Sequence, residues 1–195
     1  MSPTAYRELV LKQMAGILAP IGPIRRALDF GSGDGWFAHQ LTRAGLVRTA
    51  VGVEVLERRT IVRAPVLFDG ARLPFADRAF DLTYAVDVLH HCPAPTDALD
   101  EVLRCTARYF LIKDHSYRNV LEWSALCGLD ELGNRRFGVP CLHRYQRRWE
   151  WSHHLEARGF SLDRLIHPAE CHTGVLGQLT NHLQFVALWR RNEFH

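Results

Sequence analysis

The sequence lacks the cysteine pairs and the long apolar runs that mark several large classes of protein. Its five cysteines are an odd number and none of them forms a CxxC pair, which is typical of reduced thiols rather than of a disulfide framework. No uninterrupted apolar stretch approaches the ~20 residues of a membrane span, and the N-terminus has no apolar signal-peptide core. We therefore expect a cytoplasmic protein without a membrane span.

The sequence also lacks a strong excess of charge of either sign. Its formal net charge is +3, and its arginine pairs, such as Arg25-Arg26 and Arg190-Arg191, are spread along the chain. A dispersed pattern is typical of solvated faces, so we do not expect a nucleic acid as the partner. With 195 residues, 47% hydrophobic and 23% charged, the sequence predicts a single globular domain over residues 1–195 with a buried core.

Strand and helix patterns alternate between residues 27 and 113. The sequence predicts strands at 27–30, 49–55, 66–68, 80–86 and 109–113, and helices at 36–44 and 94–105. It also predicts a helix at 4–18, within an N-terminal segment 1–20, then helices at 116–128 and 145–158 and strands at 161–166 and 182–189. Near-continuous apolar strands that alternate with helices predict an α/β fold, a parallel sheet with helices on both faces.

Two common nucleotide-binding signatures are missing from the strand-to-helix corner at residues 29–35, which we call the glycine corner. It has the spacing GxGxG rather than GxGxxG, and Trp36 stands where a third glycine would let helix and strand pack closely. A GxxxxGK[ST] phosphate loop is absent as well. Instead, Asp29 precedes three alternating glycines, and an acid at this place suits an ammonium group better than a pyrophosphate.

The glycine corner resembles the DxGxGxG motif of class I S-adenosylmethionine-dependent methyltransferases, with Asp29, Gly31, Gly33 and Gly35 at the motif positions. The resemblance covers residues 28–113 well and the rest loosely. It implies a Rossmann-like, doubly wound, seven-stranded sheet, mostly parallel with an antiparallel last strand. It also implies S-adenosyl-L-methionine as cofactor, with its α-amino group on Asp29 and its methionine part close to the glycine backbones.

Two acids downstream extend the resemblance. Glu54 closes the second predicted strand at the place where the family binds the ribose hydroxyls. The segment that starts at Asp69 resembles the D-x-x-x-LPF-x-x-x-x-FD stretch of the type 11 group, which includes ubiquinone and menaquinone methyltransferases; there Asp69 bonds the adenine amino group and Ala71 lies along the ring. The predicted cofactor site comprises Asp29, Gly31, Ser32, Gly33, Gly35, Glu54, Val55, Asp69, Gly70, Ala71 and Asp87.

The sequence departs from the family pattern in two places. The link from Glu54 to Asp69 is short, so we expect the family's usual second helix to be reduced. The segment before the fifth predicted strand lacks the Pro-Gly-Gly turn that the family often has. Neither departure touches the residues of the predicted cofactor site.

Candidate bases follow the fourth and fifth predicted strands, because ligands of doubly wound sheets lie at the carboxyl ends of the strands. His91 and His115 are the candidate catalytic residues, since imidazole accepts a proton near neutral pH; each has a helix-capping or substrate-orienting role as its alternative. Asp114 is interpreted either as a partner of His115 or of a cationic substrate, or as an N-cap for the helix at 116–128. Lys113 is expected to end the strand with its charge exposed.

The segment 116–145 occupies the place where the family builds a substrate lid, and we expect a small helical and loop insert there. Trp123, Tyr145, Trp149 and Trp151 either wall an apolar pocket or belong to the core. The doublets His153-His154 and Cys171-His172 do not indicate a metal site, because adjacent residues rarely bind one ion together and no second pair completes a spacing.

Three functions are consistent with the sequence. The leading hypothesis is a methyltransferase that acts on an oxygen, nitrogen or carbon atom of a small molecule. The second is a regulatory or structural protein that keeps the fold and the cofactor but does not methylate. The third, an RNA or DNA methyltransferase, is weaker, because the [DN]PP[YF] motif of base-amino methylation is absent after the fourth strand.

Overall fold

The computed structural model describes residues 3–134 and 141–193. Its strands are β1 (Ile24–Phe30), β2 (Val47–Glu54), β3 (Val66–Leu67), β4 (Phe80–Val86), β5 (Thr106–Tyr117), β6 (Gln146–Arg147), β7 (Phe160–Ile166) and β8 (Gln184–Arg191). Its α-helices are α1 (Pro3–Leu18), α2 (Trp36–Arg43), α3 (Pro95–Cys105), α4 (Val120–Asn134), α5 (Glu150–Ala157) and α6 (Gly174–Thr180).

Seven strands form one twisted sheet in the order β3-β2-β1-β4-β5-β8-β7. The pairs from β3 to β5 are parallel, whereas β8 runs antiparallel to both β5 and β7. The short β6 adds a parallel pair at the end of β5. The predicted α/β class, the doubly wound sheet and the antiparallel last strand are therefore confirmed.

Strand order reverses between β1 and β4, which opens a crevice at the carboxyl ends of these two strands. Successive residues of the central strands pack on opposite faces. Phe110 and Ile112 belong to one core cluster with Leu99 of α3 and Leu155 of α5. Leu111 of the same strand belongs to a second cluster. Because helices cover both faces, the central strands are rich in apolar residues, as parallel strands buried on both sides usually are.

The second core cluster rests on the helices of the other face. Met14 of α1 and Leu41 of α2 pack there with Leu82 and Tyr84 of β4. The four side chains are fully buried. The N-terminal helix is therefore part of the layered fold, and it lies over the same half of the sheet as the glycine corner.

Three predicted element boundaries are wrong. Strand β5 extends to Tyr117, because β8 pairs with it as far as His115 and β6 pairs with its last two residues. The helix predicted at 116–128 consequently begins only at Val120. The helix predicted at 145–158 begins at Glu150, since Arg148 and Trp149 adopt left-handed backbone angles that end β6 in a turn.

The link between β2 and β3 carries no helix. Residues 55–65, all within the described part of the chain, form bends and loops. The expected reduction of the second helix is confirmed, and several apolar side chains of this link, Val55 and Ile61 among them, stay exposed.

Candidate functional site

The glycine corner joins β1 to α2 and turns through left-handed backbone angles at all three glycines. A Cβ at Gly31 would lie 2.5 Å from Val88, and one at Gly35 would lie 2.3 Å from the Arg63 carbonyl oxygen. A Cβ at Gly33 would meet no atom within 4 Å. Two glycines thus serve packing within the protein, whereas Gly33 borders open space, as a cofactor-facing backbone should.

Asp29 lies beneath this corner with only 2% of its surface exposed. Burial raises the pKa of its carboxyl group to about 7. Its Oδ2 atom has no hydrogen-bond partner among the described residues. A buried carboxylate oxygen without a donor is costly, so an ammonium group that donates to it would relieve the penalty. The chemistry of Asp29 therefore fits the α-amino group of S-adenosylmethionine.

Glu54 reaches the corner from the end of β2. Its Oε2 atom accepts hydrogen bonds from the Gly33 amide at 3.0 Å and from the Arg58 guanidinium at 3.1 Å. Its Oε1 atom accepts the Val55 amide at 2.9 Å. The carboxylate is thereby fixed at the rim of the open space beside Gly33. Ribose hydroxyls that bind Glu54 would share this carboxylate with Arg58.

Asp69, Gly70 and Ala71 follow β3. The Oδ1 atom of Asp69 accepts the Ala71 amide at 2.9 Å and the Arg72 amide at 3.3 Å, and these bonds lower the pKa of its carboxyl group. A Cβ at Gly70 would lie 3.4 Å from Val55. The structure thus brings the predicted adenine-binding segment against the end of β2.

Ser32 lies between the first two glycines of the corner. Its amide donates to the Val53 carbonyl at 2.9 Å, which ties the corner to β2. Its hydroxyl is buried and has no hydrogen-bond partner among the described residues. Ser32 is therefore placed by its backbone, and its hydroxyl lies against Gly52 of β2, where an added Cβ would be 2.6 Å from the Oγ atom.

Asp87 follows β4 and is held by residues that the sequence analysis did not connect with it. Its Oδ1 atom accepts Lys113 Nζ at 2.5 Å, and its Oδ2 atom accepts the Tyr6 hydroxyl at 2.5 Å. Lys113 also donates to Tyr6 and, at 2.8 Å, to Gln184. The expectation that Lys113 exposes its charge is wrong, since its side chain is 0% exposed.

The environment of Lys113 keeps its ammonium group charged. Burial alone would lower the pKa of Lys113, but the Asp87 carboxylate outweighs it, so the pKa lies above the ordinary value. The same contact holds the pKa of Asp87 below its ordinary range, although burial opposes it. A lysine reaches this depth only because Tyr6, Asp87 and Gln184 surround it.

Asp114 is a buried strand residue, and the interpretation as a helix N-cap is wrong. Its Oδ1 atom accepts His90 Nδ1 at 2.6 Å and the His115 amide at 2.8 Å. These contacts overcome burial and hold the pKa of Asp114 well below its usual range. Burial alone would lower the pKa of His90, but the Asp114 carboxylate outweighs it and raises the pKa of the imidazole to about 10.

The two candidate bases occupy different environments. His115 lies on β5 with Nδ1 3.2 Å from Asp114 Oδ1 and 3.7 Å from Asp87 Oδ1. Burial, and then Lys113, lowers its pKa, so the ring is neutral near pH 7. His91 ends a 3-10 helix formed by Leu89–His91, and its Nε2 atom lies 3.6 Å from Asp130 Oδ1 on α4. We call the group Asp87, His90, His91, Lys113, Asp114 and His115 the acceptor side.

The predicted aromatic pocket exists only in part. Trp149 and Trp151 line a cavity of about 190 Å³ between α5 and the sheet. Tyr145 packs elsewhere, with Leu126 of α4, because the turn before α5 separates it from the two tryptophans. Trp123 is 37% exposed and does not line the cavity. Within the predicted lid insert, residues 135–140 lie outside the described residues. None of the predicted cofactor residues borders this cavity.

Comparison with known proteins identifies the domain. The type 11 methyltransferase domain family matches residues 28–109. An uncharacterized methyltransferase of Mycobacterium leprae is 36% identical over 140 residues, 66% of this chain and 49% of that protein. The chain therefore spans about half the length of the curated relatives it matches.

Solved structures share the fold along almost the whole chain. An S-adenosylmethionine-dependent methyltransferase of Mesorhizobium loti superposes with a TM-score of 0.66 at 16% identity, covering 93% of this chain and 96% of the other. The magnesium protoporphyrin IX methyltransferase of Synechocystis, solved with bound S-adenosylhomocysteine, gives 0.64 at 16% identity, covering 96% and 84%.

None of the helices over residues 3–134 and 141–193 combines the length and the apolar character that crossing a bilayer requires.

The sequence match lies over the strands and turns that carry the glycine corner, Glu54 and Asp69, and the solved structures repeat the sheet that positions them. Over residues 28–109 the chain accordingly matches the type 11 methyltransferase domain family, on a fold that solved S-adenosylmethionine-dependent methyltransferases share.

Proposed function

We propose that this chain transfers the methyl group of S-adenosylmethionine to a small-molecule acceptor. The observation that carries the proposal is the buried Asp29 carboxylate, whose Oδ2 atom has no hydrogen-bond partner among the described residues. Asp29 belongs to the same glycine corner as Gly33, which borders open space. Relatives named as methyltransferases support the reaction class.

The residues of the corner bind and orient the cofactor in this proposal. Asp29 accepts hydrogen bonds from the α-amino group, Glu54 accepts the ribose hydroxyls, and Asp69 accepts the adenine amino group while Ala71 lies along the ring. When bound, the cofactor supplies an electrophilic methyl group on its sulfonium. The chain's own contribution is to hold the acceptor atom in line with that methyl group and to exclude water.

The acceptor side supplies the proton acceptor. His115 lies beside Asp87 at the carboxyl edge of the sheet, and its Nδ1 atom is within 3.2 Å of the Asp114 carboxylate. This contact orients the ring so that an acceptor hydroxyl can give its proton to the imidazole. His91 is the alternative base, with Asp130 in the orienting role.

The enclosure of the acceptor side supports a small acceptor rather than a macromolecule. Tyr6 of α1 contacts Asp87 from one side, and Asp130 of α4 faces His91 from the other. Both histidines of the candidate base pair are largely buried. A site walled by helices on two sides admits a small molecule more readily than a folded nucleic acid.

Calorimetry and label transfer test the proposal together. We expect S-adenosylhomocysteine to bind with about micromolar affinity, roughly −8 kcal/mol, and NAD not to bind. A radiolabelled methyl group from S-adenosylmethionine should then appear in the small-molecule fraction of a cell extract. NAD binding without a response to S-adenosylhomocysteine would contradict the cofactor assignment.

The fate of the label separates the alternatives. Label that enters ribonuclease-sensitive material would favour the RNA methyltransferase hypothesis. Binding of S-adenosylhomocysteine without transfer into any fraction would favour a protein that keeps the cofactor but does not methylate. Either result would overturn the small-molecule acceptor while leaving the cofactor site in place.

A further inference from the structure

Two adjacent histidines and one aspartate converge between the end of β4 and helix α4. His90 Nε2 lies 3.7 Å and His91 Nε2 lies 3.6 Å from the same oxygen, Asp130 Oδ1. The three ligand-type atoms all lie within 4.8 Å of one another. The side chains are well buried, with His90 only 1% exposed. Two imidazoles and a carboxylate therefore face one small volume.

The separations are too long for hydrogen bonds and suit a shared ion. An N–O distance of 3.6 Å lies beyond hydrogen-bond range. Two atoms that each bind a tetrahedral ion at about 2.0–2.1 Å are about 3.4 Å apart. The observed 3.6 and 3.7 Å are within a few tenths of an ångström of that spacing. Adjacent residues rarely share an ion, but the 3-10 helix Leu89–His91 places both Nε2 atoms on Asp130.

Outer hydrogen bonds hold these groups as metal ligands are usually held. His90 donates Nδ1–H to Asp114 at 2.6 Å, and its Nε2 atom faces Asp130. Zinc would displace the proton that Nε2 carries in the imidazolium, and that proton is released to solvent. The Tyr145 hydroxyl donates to Asp130 Oδ2 at 3.0 Å, which leaves Oδ1 towards the histidines. Carboxylate partners on a ligating imidazole and a bond to the ligating carboxylate are common features of protein metal sites.

We propose that His90, His91 and Asp130 bind one zinc ion, with the fourth coordination position open. Two imidazole nitrogens and one carboxylate oxygen form a ligand set that zinc takes in proteins with an open position. The ion would join the segment after β4 to helix α4. It would thus anchor the helix that begins the lid segment next to the acceptor side.

A neighbouring triplet competes for the same ion. Asp130, Cys141 and His143 also place their ligand atoms within 4.8 Å of one another. The Cys141 thiol is hydrogen-bonded to Asp130, and burial together with this carboxylate raises the pKa of the thiol to about 11. Binding through Cys141 would give the ion a thiolate ligand, which makes the two sets spectroscopically different.

Titration of the whole chain with metal alone tests the assignment. After removal of metals by a chelator, we expect calorimetry to show one saturable Zn²⁺ site per chain. The affinity of His91→Ala should be lower by at least about tenfold, since even outer-shell losses cost that much. His153→Ala removes an exposed histidine of α5 and should bind Zn²⁺ as the unmodified chain does.

A second variant and a second ion keep the test decisive. Asp130→Asn preserves volume and should also weaken binding, even if His91→Ala folds poorly. Co²⁺ in place of Zn²⁺ should give tetrahedral visible absorption without a thiolate charge-transfer band, and Cys141→Ser should leave it unchanged. The proposal is overturned if the chain shows no saturable Zn²⁺ binding, or if His91→Ala and Asp130→Asn both bind Zn²⁺ as tightly as the unmodified chain. It is also overturned if Cys141→Ser no longer binds the ion.

Discussion

The glycine corner and the acceptor side, which form the two ends of the crevice, differ in how their groups are positioned. The glycine corner relies on backbone: three left-handed glycines, one buried carboxylate and one strand-end acid. The acceptor side relies on side chains that pair with one another across the fold, from Tyr6 near one terminus to Gln184 near the other. One end is set by a few consecutive residues and the other by long-range contacts.

The difference separates a generic task from a specific one. A backbone cradle can serve the same cofactor in many relatives, because it needs glycine positions rather than particular neighbours. A buried network of charges is costly to assemble and acts only when every member is present. Changes at the corner should therefore remove cofactor binding, whereas changes on the acceptor side should affect stability or turnover.

The largest effect is expected from Gly33→Val. A valine side chain at this position would occupy the open space in which we place the cofactor, so S-adenosylhomocysteine should no longer bind. The binding free energy should weaken by about 4 kcal/mol or more, from micromolar to millimolar affinity or worse. Circular dichroism should show an intact fold. Calorimetry measures the loss directly.

Gly45→Val is the matched control for this variant. Gly45 has φ +70 and Gly33 has φ +57, and a Cβ at either position meets no atom within 4 Å. Both variants thus carry similar backbone strain, of about 1–3 kcal/mol, but only Gly33 borders the proposed cofactor. Equal affinities in the two variants would contradict the placement of the cofactor.

The next effect concerns stability on the acceptor side. Lys113→Met removes the buried cation and leaves Asp87 without its ion-pair partner. We expect the free energy of unfolding to fall by about 3–5 kcal/mol, the usual result of breaking a buried pair on one side. Denaturant titration gives this value, and the unmodified chain serves as reference.

Arg118→Met is the comparison on the surface. Arg118 pairs with Glu122 at 2.9 Å, but its side chain is 73% exposed. Because exposed pairs contribute only about 0–1 kcal/mol, this variant should be nearly as stable as the parent. A similar small loss in Lys113→Met would show that the buried pair contributes no more than a surface pair.

The contrast between the two ends also explains what could be predicted from the sequence. Asp29 and the three glycines lie within seven residues, so their arrangement follows from local backbone preferences. Tyr6 and Asp87 are 81 positions apart, and Lys113 and Gln184 are 71 apart. A local sequence pattern cannot predict contacts between residues that are so far apart along the chain.

The same reason accounts for the wrong end of β5. Lys113, Asp114 and His115 form a polar run, which is typical of a strand that has reached solvent. In the structure they stay in the strand because β8 pairs beside them and each polar group meets a buried partner. The doublet His90-His91 was a visible signal, but its partners Asp114 and Asp130 depend on tertiary structure.

A moderate effect on turnover is expected from His115→Ala. A positioned base contributes about 10²–10⁴ in rate, and water can replace part of it, so transfer should fall by at least about tenfold. Affinity for S-adenosylhomocysteine should stay within a few-fold. Transfer of radiolabelled methyl to small molecules of a cell extract provides the measurement, with His153→Ala as control.

His91→Ala decides between the two candidate bases. Full transfer in His115→Ala with loss in His91→Ala, both measured relative to the unmodified chain after metals have been removed by a chelator, would move the role of base to His91. Unchanged transfer in both variants would mean that orientation alone drives the reaction on the acceptor side.

The smallest effect, and the finest test of the glycine corner, is a pH dependence that originates at Asp29. Its carboxyl group has a pKa of about 7 because burial disfavours the charged form. Around it, Tyr84 of β4 and the Ala38 amide of α2 favour the charge, while Glu54 of β2 and Asp34 oppose it. The proposed ammonium partner binds the ionised form. Affinity for S-adenosylhomocysteine should therefore rise with pH and level off above the pKa.

The ionised fraction of a group with this pKa grows about fivefold between pH 6 and pH 7, so calorimetry in that window should show about the same gain in affinity. The ligand's own amino group stays mostly protonated there, since α-amino pKa values lie near 7.7–8.0. Asp29→Asn should bind more weakly and lose the pH dependence. Asp81→Asn, an aspartate of β4 that accepts the Arg25 and Arg26 amides away from the corner, should keep it. A slope that persists in Asp29→Asn would place the titrating group elsewhere and remove Asp29 from the role of ammonium acceptor.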